Sequence, residues 1–437
     1  MFAISSKSKL EQRLSQISSE KIESGPSYET VRDNVRPIAQ EKLQQQLGAG
    51  FDRHMARAKA KNIIIDLLEL HGSHFPKPMQ LSMAEELVDD LLGYGPLEVL
   101  MNDPDITEIK VVHWNEIWIE KNGVERELQT AFRNEQHCRE VLDRLLAASG
   151  KSIDYSRPYT SARLKDGSRV QATIPPIGVD GTDFSIRRFL GGMKPEVLIE
   201  RKMFNEESMQ FIRACVEGAL NVIVSGGTSS GKTTVIGAIL SFVPYGESMI
   251  LIENPAELIV HNKNVRRWET KEANIEGKGS VTMRKLVANA LRAAPKRVII
   301  GEIREGEAFD MVQAMNTGHP GSFTSIHANS ARDALNERLP VLMQMAEGVS
   351  ISNETCMRMI ASTIDIVIHI QKDRDGVRRM TQIVQVIGTQ KDPKSDSIIV
   401  QTEDLFKYSH NKKDWVKTTA EFKFAERLQA RGVDFTW

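Results

Sequence analysis

The stretch 221–240, "NVIVSGGTSSGKTTVIGAIL", decides the fold of this chain. The apolar run before the glycines predicts a buried strand, and the apolar residues after them recur at helical spacing. Between the two, Gly226, Gly231, Lys232 and Thr233 match the pattern G-x-x-x-x-G-K-[ST] of a phosphate-binding loop. An entering strand and a leaving helix are the context that this loop requires. The stretch therefore predicts an α/β domain that binds a nucleoside triphosphate.

The residue types of this loop suit polyphosphate. Glycines let backbone N–H groups turn toward the anion, and the helix N-terminus adds unpaired donors and a positive dipole end. Lys232 is predicted to reach the β- and γ-phosphates, and the Thr233 hydroxyl is predicted to hold Mg²⁺. The loop residues predicted to bind nucleotide are Gly226, Gly227, Thr228, Ser229, Ser230, Gly231, Lys232, Thr233 and Thr234. The alternative, a glycine-rich turn with a chance lysine, is disfavoured by the flanking strand and helix.

Two later apolar strands end in acidic residues. "RVIIGEIRE" places Glu302 where P-loop proteins hold the Mg²⁺ water shell or the attacking water, which favours hydrolysis over a small-molecule kinase. "MILIENPAEL" ends with Glu253 and Asn254. For both strands the alternative of a solvated acid stays open, and it is stronger for Glu253. "HNKNV" at 261–265 lacks the aspartate of an N-K-x-D signature, which disfavours a GTPase.

Two histidines lie eight residues apart in "GHPGSFTSIHANS" at 318–330. His319 and His327 have no cysteine or aspartate partners at ligand spacing for zinc, and no nucleophile elbow is evident nearby. We predict a strand whose polar end faces the γ-phosphate, where neutral imidazole can report whether that phosphate is present. The alternative of histidines satisfied by the backbone stays open.

Length, charge and cysteine content narrow the class of protein. A chain of 437 residues predicts two or three domains, each with its own core. A net charge of −1 argues against a broad basic face for nucleic acid, although a local basic patch stays open. Cys138, Cys215 and Cys356 show no CxxC spacing, which fits a reducing compartment. Without a long apolar stretch or a signal-peptide region, we expect a cytoplasmic protein with peripheral membrane contact.

The residues before the phosphate loop suggest a second, smaller folding unit. Residues 1–60 are polar and predict helical segments or a partly disordered arm. "MAEELVDDLLGYGPLEVL" predicts a helix, "ITEIKVV" and "EIWIE" predict strands, and Asn122-Gly123 predicts a hairpin turn. A helix is predicted over 133–150, and "ARLKDGSRVQATIPP" and "DFSIRRF" predict two further short strands. Beyond a Gly- and Pro-containing linker, "NVIVSG", "SMILIE", "RVIIGE", "GSFTSIHA" and "TIDIVIHI" predict a mostly parallel sheet with helices on both faces.

The order of these motifs resembles the type II/type IV secretion ATPase superfamily, whose signatures are a Walker A loop, an Asp box, a Walker B strand ending Gly-Glu and a His box. The text "RVIIGEIREGEAFDMVQAMNTGHPGSFTSIHANSARDAL" is similar to it, and the CpaF-like branch of Tad pili is the most similar branch. The resemblance covers about 85–425. It implies a hexameric ring of subunits with a smaller N-terminal α/β domain and a RecA-like C-terminal domain. The implied segments are a helical, partly flexible region 1–92, an α/β domain 93–190, a linker 191–202 and an ATPase domain 203–437.

The resemblance also implies roles for single residues. Lys232 and Thr233 match the Walker A lysine and threonine. Glu253 matches the Asp-box glutamate, which organises Mg²⁺ and the attacking water. Glu302 matches the Walker B glutamate, which together with Thr233 would hold the metal. His319 and His327 match the His-box histidines, which implies nucleotide binding for His319 and a part in catalysis for His327.

Arginines of the smaller domain complete the implied site. The family's phosphate-reaching arginines match Arg169 in "SRVQA" and Arg187 in "SIRRF", with Arg163 and Arg188 as nearby alternatives. An arginine delivered by another domain or subunit stabilises charge in the transition state of phosphoryl transfer. The alternative for each arginine is a solvated side chain on a short strand.

Two departures from the family pattern stand out. The family usually carries Glu-Asp where this chain has Glu253-Asn254, so an amide stands where the family has a second carboxylate. "ALNERL" at 334–339 carries one residue more than the usual A-L-x-R-L, which shifts Arg338 by one position relative to the family pattern.

These observations predict an ATP-hydrolysing motor that powers assembly of a Tad or type IV-like pilus, or secretion of proteins across the membrane. The expected partners are further copies of the chain in a homo-hexamer and an integral-membrane platform protein, with no direct nucleic-acid contact. The expected location is the cytoplasm, at the inner face of the cell membrane. A conjugation (DNA-transfer) ATPase and an ATP-gated scaffold with little hydrolysis are the alternatives.

Overall fold

The chain forms two compact units. The computed structural model describes residues 25–46, 53–189, 191–271, 273, 278–373, 376–393 and 397–437. The first unit comprises Met1–Lys121 and Glu125–Phe189, and the second comprises Asn122–Val124 and Leu190–Trp437. The predicted flexible arm lies in part at 1–24, outside the described residues. The segment boundaries implied by the resemblance stay predictions.

The first unit begins with three helices, α1 (Tyr28–Gln46), α2 (Arg53–His71) and α3 (Lys77–Leu92). Their apolar side chains form one buried cluster, because each helix carries a stripe at helical spacing. Helix α3 ends at Leu92 and Gly93 is its C-cap. A short helix α4 (Glu98–Asn102) leads into the sheet.

A six-stranded sheet completes the first unit. Its elements are β1 (Ile106–His113), β2 (Glu116–Lys121), β3 (Val124–Leu128), α5 (Glu135–Ala147), β4 (Tyr159–Arg163), β5 (Arg169–Thr173) and β6 (Asp183–Arg187). The strand order is β3-β2-β1-β6-β5-β4. The predicted hairpin is confirmed, with φ of 52° at Asn122 and 80° at Gly123. The prediction of one strand in "ARLKDGSRVQATIPP" is wrong, since a turn closed by Leu164 and Ser168 divides it between β4 and β5.

The second unit alternates strands and helices. Its first half contains α6 (Pro195–Glu200), α7 (Glu206–Glu217), β7 (Val222–Gly226), α8 (Lys232–Ile239), β8 (Met249–Glu253), β9 (Val265–Glu269), α9 (Met283–Arg292) and β10 (Arg297–Ile303). Its second half contains α10 (Glu307–Asn316), β11 (Phe323–His327), α11 (Ala331–Asp333), a π-helix (Ala334–Arg338), α12 (Leu339–Gln344), α13 (Asn353–Thr363), β12 (Ile366–Lys372), β13 (Arg378–Lys391), β14 (Ile398–Ser409), β15 (Asp414–Lys417) and α14 (Ala425–Ala430).

These strands build one nine-stranded sheet in the order β15-β14-β13-β12-β7-β11-β10-β8-β9. Strands β12, β7, β11, β10, β8 and β9 pair in parallel, whereas β13, β14 and β15 extend the sheet antiparallel. The five predicted strand runs are confirmed as β7, β8, β10, β11 and β12. Val222 and Val224 face one buried cluster and Ile223 faces the other, so the sheet has a core on each face. None of the described helices combines the length and apolar character that spanning a bilayer requires.

Candidate nucleotide-binding and hydrolysis site

The phosphate loop lies at the carboxyl edge of the parallel sheet, between β7 and α8. Gly231 and Ser229 have left-handed φ values of 98° and 54°, which turn the backbone sharply before the helix begins. A Cβ at Gly226 would lie 2.4 Å from the carbonyl oxygen of Ile370 on β12. A Cβ at Gly227 would meet nothing within 4 Å. Close packing against β12 therefore requires glycine at the first of these positions, while the second faces open space.

Lys232 is the first residue of α8 and its side chain is 9% exposed. Its ammonium donates to the carbonyl oxygens of Gly226 at 3.1 Å and Gly227 at 2.8 Å. The same nitrogen lies 3.9 Å from Oε1 of Glu302. The structure thus brings the Walker A lysine and the Walker B glutamate together at one edge of the sheet.

Glu302 lies near the end of β10 and keeps 25% of its side chain exposed. Its Oε2 accepts a hydrogen bond of 2.7 Å from Nε of Arg304 and a second one from the Nη2 of the same guanidinium. The carboxylate is therefore flanked by two cations, Lys232 on the side of the loop and Arg304 on the exposed side. Residual exposure leaves room for water beside this acid.

Glu253 ends β8, the strand next to β10, and is 2% exposed. Its Oε1 accepts from the backbone N–H groups of Glu257 and Leu258, both at 2.7 Å, which holds the following loop. Its Oε2 has no hydrogen-bond partner in the described structure, and lies 3.7 Å from Nη2 of Arg267. Burial raises the pKa of Glu253 above its ordinary value. This acid combines a structural oxygen with a second oxygen that retains its acceptor capacity.

The two His-box histidines lie at opposite ends of β11. His327 is the last residue of the strand, pairs in register with Gly226 and is exposed, so it lies at the edge that carries the phosphate loop. His319 lies before the strand, and its carbonyl accepts from the Ser322 hydroxyl at 2.7 Å. The carbonyl of Ser322 in turn accepts from the backbone N–H of Val222, at the opposite edge.

The length of β11 separates the two histidines from each other. At a rise of about 3.3 Å per residue, five strand residues place His319 more than ~13 Å from the loop of its own subunit. The placement therefore supports the predicted nucleotide contact for His327, and it does not support one for His319 within a single copy of the chain. The sequence analysis assigned His319 as well as His327 to the nucleotide site, because a motif gives order along the chain and not the edge of the sheet.

The predicted arginines form a row across the first unit's sheet. In register, Arg163 lies opposite Arg169, Arg169 opposite Arg187, and Arg187 opposite Glu108. The strands β4, β5 and β6 bury every second residue, so these side chains share the face away from the core. Three guanidinium groups on neighbouring strands concentrate positive charge on that face, an arrangement suited to an anion.

Arg188 is not part of this row. Its Nη1 donates to the carbonyl oxygens of Leu100 at 2.9 Å and Asp103 at 3.3 Å, on the segment before β1. These bonds give Arg188 a structural role, so of the alternatives only Arg163 shares the face of Arg169 and Arg187.

The structure locates both departures from the family pattern and explains the second. Asn254 is exposed directly after β8. The additional residue of "ALNERL" falls in the π-helix Ala334–Arg338. A π-turn accommodates one extra residue inside a helix while the helix on either side continues. The insertion is therefore absorbed locally, and the helical path resumes at Leu339.

Three residues beside the site were not predicted. Arg304 engages Glu302, Arg378 donates from Nε to the carbonyl of Ser229 at 2.8 Å, and His369 contacts Ser225 with its Nδ1 at 2.9 Å. His369 is the last residue but one of the buried run "TIDIVIHI", so the rule that polar residues near the carboxyl ends of parallel strands meet could have found it. Arg378 reaches the loop from the antiparallel extension, a distance along the chain that no local pattern reveals.

The residues present suit Mg²⁺ at this edge. The Thr233 hydroxyl at the start of α8 and the Glu302 carboxylate are oxygen donors, the ligands that this hard cation prefers. Within the described ranges, no three or more His, Cys, Asp and Glu side chains are grouped as a metal site would require. Mg²⁺ ordinarily keeps several waters and takes further oxygens from nucleotide phosphates, so one hydroxyl and one carboxylate are sufficient protein donors.

Comparison with known proteins identifies the family to which this chain belongs. Residues 90–400 match the family described as "Type II/IV secretion system protein". A putative conjugal transfer protein of Mycobacterium tuberculosis is 29% identical over 305 residues, covering 68% of this chain and 85% of that protein. The conjugal transfer protein TrbB of Rhizobium radiobacter is 29% identical over 306 residues, covering 69% and 90%. The crystal structure of the VirB11 ATPase from the Brucella suis type IV secretion system, in complex with sulphate, is 25% identical, covers 66% of this chain and 91% of that chain, and superposes with a TM-score of 0.36. With its phosphate loop and strand-end acids in place, and with most of its length matched, this chain belongs to the type II/IV secretion ATPase family.

Proposed function

We propose that this chain is the ATP-hydrolysing motor subunit of a pilus-assembly or protein-secretion machine of the CpaF-like kind. The observation that carries the proposal is the approach of Lys232 to Glu302, 3.9 Å apart at the carboxyl edge of a parallel sheet. A lysine set for a polyphosphate and a partly exposed carboxylate beside it are the two groups that hydrolysis of a terminal phosphate needs.

Different residues of the chain then bind the phosphates, hold the metal ion and activate the attacking water. The loop N–H groups and Lys232 bind the β- and γ-phosphates, and Thr233 with Glu302 would hold Mg²⁺, which neutralises phosphate charge when it is bound. Glu302 orients the attacking water and accepts its proton, with Glu253 on the neighbouring strand as a second acceptor. His327, at the same edge, contacts the terminal phosphate and reports its loss.

In this proposal the arginine row couples ATP hydrolysis to a movement of the first unit. Arg169 and Arg187 approach the phosphates only when the first unit closes on a nucleotide, either in the same subunit or in its neighbour in a homo-hexamer. Hydrolysis then depends on a rigid-body step, which a motor must link to the work it does on its partner, a membrane-embedded platform protein. His319 takes no part in the phosphate contact of its own subunit.

Steady-state ATP turnover tests the proposal. Glu302→Gln keeps the shape of the side chain but removes the proton acceptor, so kcat should fall by about 10²-fold or more while nucleotide affinity is kept. Glu305→Gln is the matched control, because Glu305 is exposed three residues further along the same segment. Equal turnover by wild type and Glu302→Gln, or none by either, would favour the ATP-gated scaffold instead.

The same assay separates a DNA-transfer ATPase from a protein-secreting one. Two of the three proteins named above carry conjugal transfer in their names. A DNA-transfer motor predicts turnover that single-stranded DNA stimulates. Our proposal predicts turnover unchanged by DNA, in keeping with a net charge of −1 for the whole chain.

A further inference from the structure

An arginine from the antiparallel part of the second sheet holds the phosphate loop at Ser229. Arg378 is the first residue of β13, and its Nε donates to the carbonyl oxygen of Ser229 at 2.8 Å. The two residues are 149 positions apart along the chain. Both belong to the second unit, and both are half-buried. This contact therefore joins the loop to a strand that lies outside the four signature motifs of the family.

Neighbouring strands fix the position of Arg378. Strand β13 pairs antiparallel with β12, where Met380 lies opposite Ile370. Ile370 in turn pairs in register with Gly226 at the start of the phosphate loop. Met380 also donates its backbone N–H to the carbonyl of Met203 at 2.9 Å. The start of β13 is thus held on two sides close to the loop, so the guanidinium approaches the loop from a braced strand.

Ser229 depends on such a contact because its backbone is left-handed. Its φ is 54°, a value that residues other than glycine rarely adopt, whereas Gly231 reaches a φ of 98° without a steric penalty. A Cβ at Gly231 would lie 3.5 Å from Cδ of Arg378, so the stem of the arginine packs along the loop to which its Nε bonds. A hydrogen bond from a charged donor is among the stronger ones in proteins and offsets the cost of this conformation.

The same bond sets the direction of the next amide. A trans peptide group is planar, so the N–H of Ser230 points opposite to the Ser229 carbonyl that Arg378 holds. Backbone N–H groups with fixed directions are what a phosphate loop offers to an anion. Ser230 is 1% exposed, and its hydroxyl donates to the carbonyl of Gly227 at 2.9 Å, which steadies the turn from within. Loss of the bond to Arg378 therefore frees the peptide between residues 229 and 230 to rotate.

We propose that Arg378 is a positioning residue for nucleotide binding, which holds the left-handed turn at Ser229 and so shapes the loop before a polyphosphate arrives. The proposal rests on the nucleotide-binding part of the proposed function. Arg378 acts through Ser229 and not as a charge on the nucleotide. A loop ordered in advance binds more tightly, because the nucleotide does not have to select a rare conformation. Once nucleotide is bound, its own contacts hold the loop, so the effect is on affinity and not on kcat.

Side-chain chemistry separates the hydrogen bond of Arg378 from its charge. Arg378→Gln carries an amide Nε2 at the same number of bonds from the backbone as Nε of arginine, so it keeps the donor and removes the charge. Arg378→Met keeps a stem of similar length and removes both. We expect the dissociation constant of a fluorescent ATP analogue with Mg²⁺ to rise about tenfold in Arg378→Met and less than about threefold in Arg378→Gln. Lys391→Met, at the exposed end of the same strand, is the matched control for loss of a positive charge.

A glycine at position 229 tests whether the left-handed turn carries the effect. Ser229→Gly removes the penalty of the positive φ, so its own affinity becomes the reference for a double-mutant cycle. Added to Ser229→Gly, Arg378→Met should weaken binding by less than about twofold, since the turn no longer depends on the hydrogen bond. A tenfold loss in both backgrounds, wild-type affinity in Arg378→Met, or a loss in Arg378→Gln as large as in Arg378→Met would each overturn the proposal.

Thermal unfolding of every variant shows whether a loss of affinity reflects misfolding. If Arg378→Met does not fold, Arg378→Lys takes its place, because lysine keeps the charge but carries its donor one atom further from the backbone. The proposal then expects weaker binding that disappears in the Ser229→Gly background. Wild-type affinity in Arg378→Lys, or a loss that Ser229→Gly does not remove, would count against it.

Binding and turnover, measured side by side, keep the two claims apart. If turnover depends on Glu302 and Arg378→Met binds the analogue as wild type does, the proposed function stands and the positioning role fails. If binding follows the expected pattern and neither wild type nor Glu302→Gln hydrolyses ATP, the motor function fails and the positioning role of Arg378 stands.

Discussion

The two sheets of this molecule present their functional residues in opposite ways. In the antiparallel sheet of the first unit, buried and exposed residues alternate, and Arg163, Arg169 and Arg187 share one open face. In the second unit, β7 and β8 are buried at every position, and the polar residues stand at the strand ends. The candidate residues of the first unit therefore lie on a face of its sheet, whereas those of the second unit lie at the carboxyl edge of its sheet.

Topology explains the difference. An antiparallel sheet can leave one face to water, so a row of side chains in register becomes a charged surface. A parallel sheet has helices on both faces, so the carboxyl edge is where side chains can meet a ligand. Lys232 and Glu302 lie together at the edge, whereas in our proposal the arginines of the face reach the phosphates only when another surface brings a nucleotide to them. A motor needs both kinds of element.

Removing arginines from the open face of the first unit's sheet should give the largest effect, a loss of kcat. Arg169→Ala combined with Arg187→Ala should lower kcat at saturating ATP by about 10³-fold, because arginines that arrive from another domain stabilise the transition state to this degree. Nucleotide affinity, measured with a fluorescent ATP analogue, should change little, since the edge still binds the phosphates. Arg157→Ala removes an exposed arginine of the same unit and serves as the control. Wild-type turnover in the double variant would contradict the role of the row.

A substitution in the phosphate loop, at the carboxyl edge of the second sheet, should give a smaller effect, and that effect should be on stability rather than on kcat. Gly226→Ala places a Cβ 2.4 Å from the Ile370 carbonyl, so the free energy of unfolding should fall by about 1–3 kcal/mol. Gly227→Ala meets nothing within 4 Å and should change it by less than about 0.5 kcal/mol. Equilibrium urea unfolding of the two variants checks the difference. Equal stabilities would mean that β12 does not brace the loop.

Most of the candidate residues at the carboxyl edge of the parallel sheet could be predicted from the sequence. Lys232, Glu302 and His327 each follow a buried apolar run, and residues at the carboxyl ends of neighbouring parallel strands meet in space. His319 shows the limit of this rule, because it precedes its strand and lies at the other edge. His369 follows the rule, yet a lone histidine in an apolar run carries no motif that draws attention to it.

The row of arginines on the face of the first unit's sheet was harder to predict from the sequence. The sequence indicated short strands bearing arginines, but it merged β4 and β5 into one, so the register that aligns Arg163, Arg169 and Arg187 was not visible. Register depends on the turn at 164–168 and on pairing between strands distant along the chain. The antiparallel extension was also missed in part: β13 and its Arg378 were not predicted, because extension at the edge of a parallel sheet leaves no periodic signal of its own.

The smallest effect concerns a contact between the π-helix and the antiparallel part of the second sheet. Asn336, inside the π-helix, accepts from the backbone N–H of Val400 on β14 at 2.7 Å and donates to its carbonyl at 3.3 Å. Asn336→Ala leaves both backbone groups without this partner and should lower the free energy of unfolding by about 1–2 kcal/mol. The neighbouring Glu337 is exposed in the same π-turn, so Glu337→Ala should change it by less than about 0.5 kcal/mol. Hydrogen exchange at the Val400 amide, faster only in Asn336→Ala, would locate the loss on β14. Equal exchange in both variants would instead mean that the π-helix does not hold β14 through Asn336.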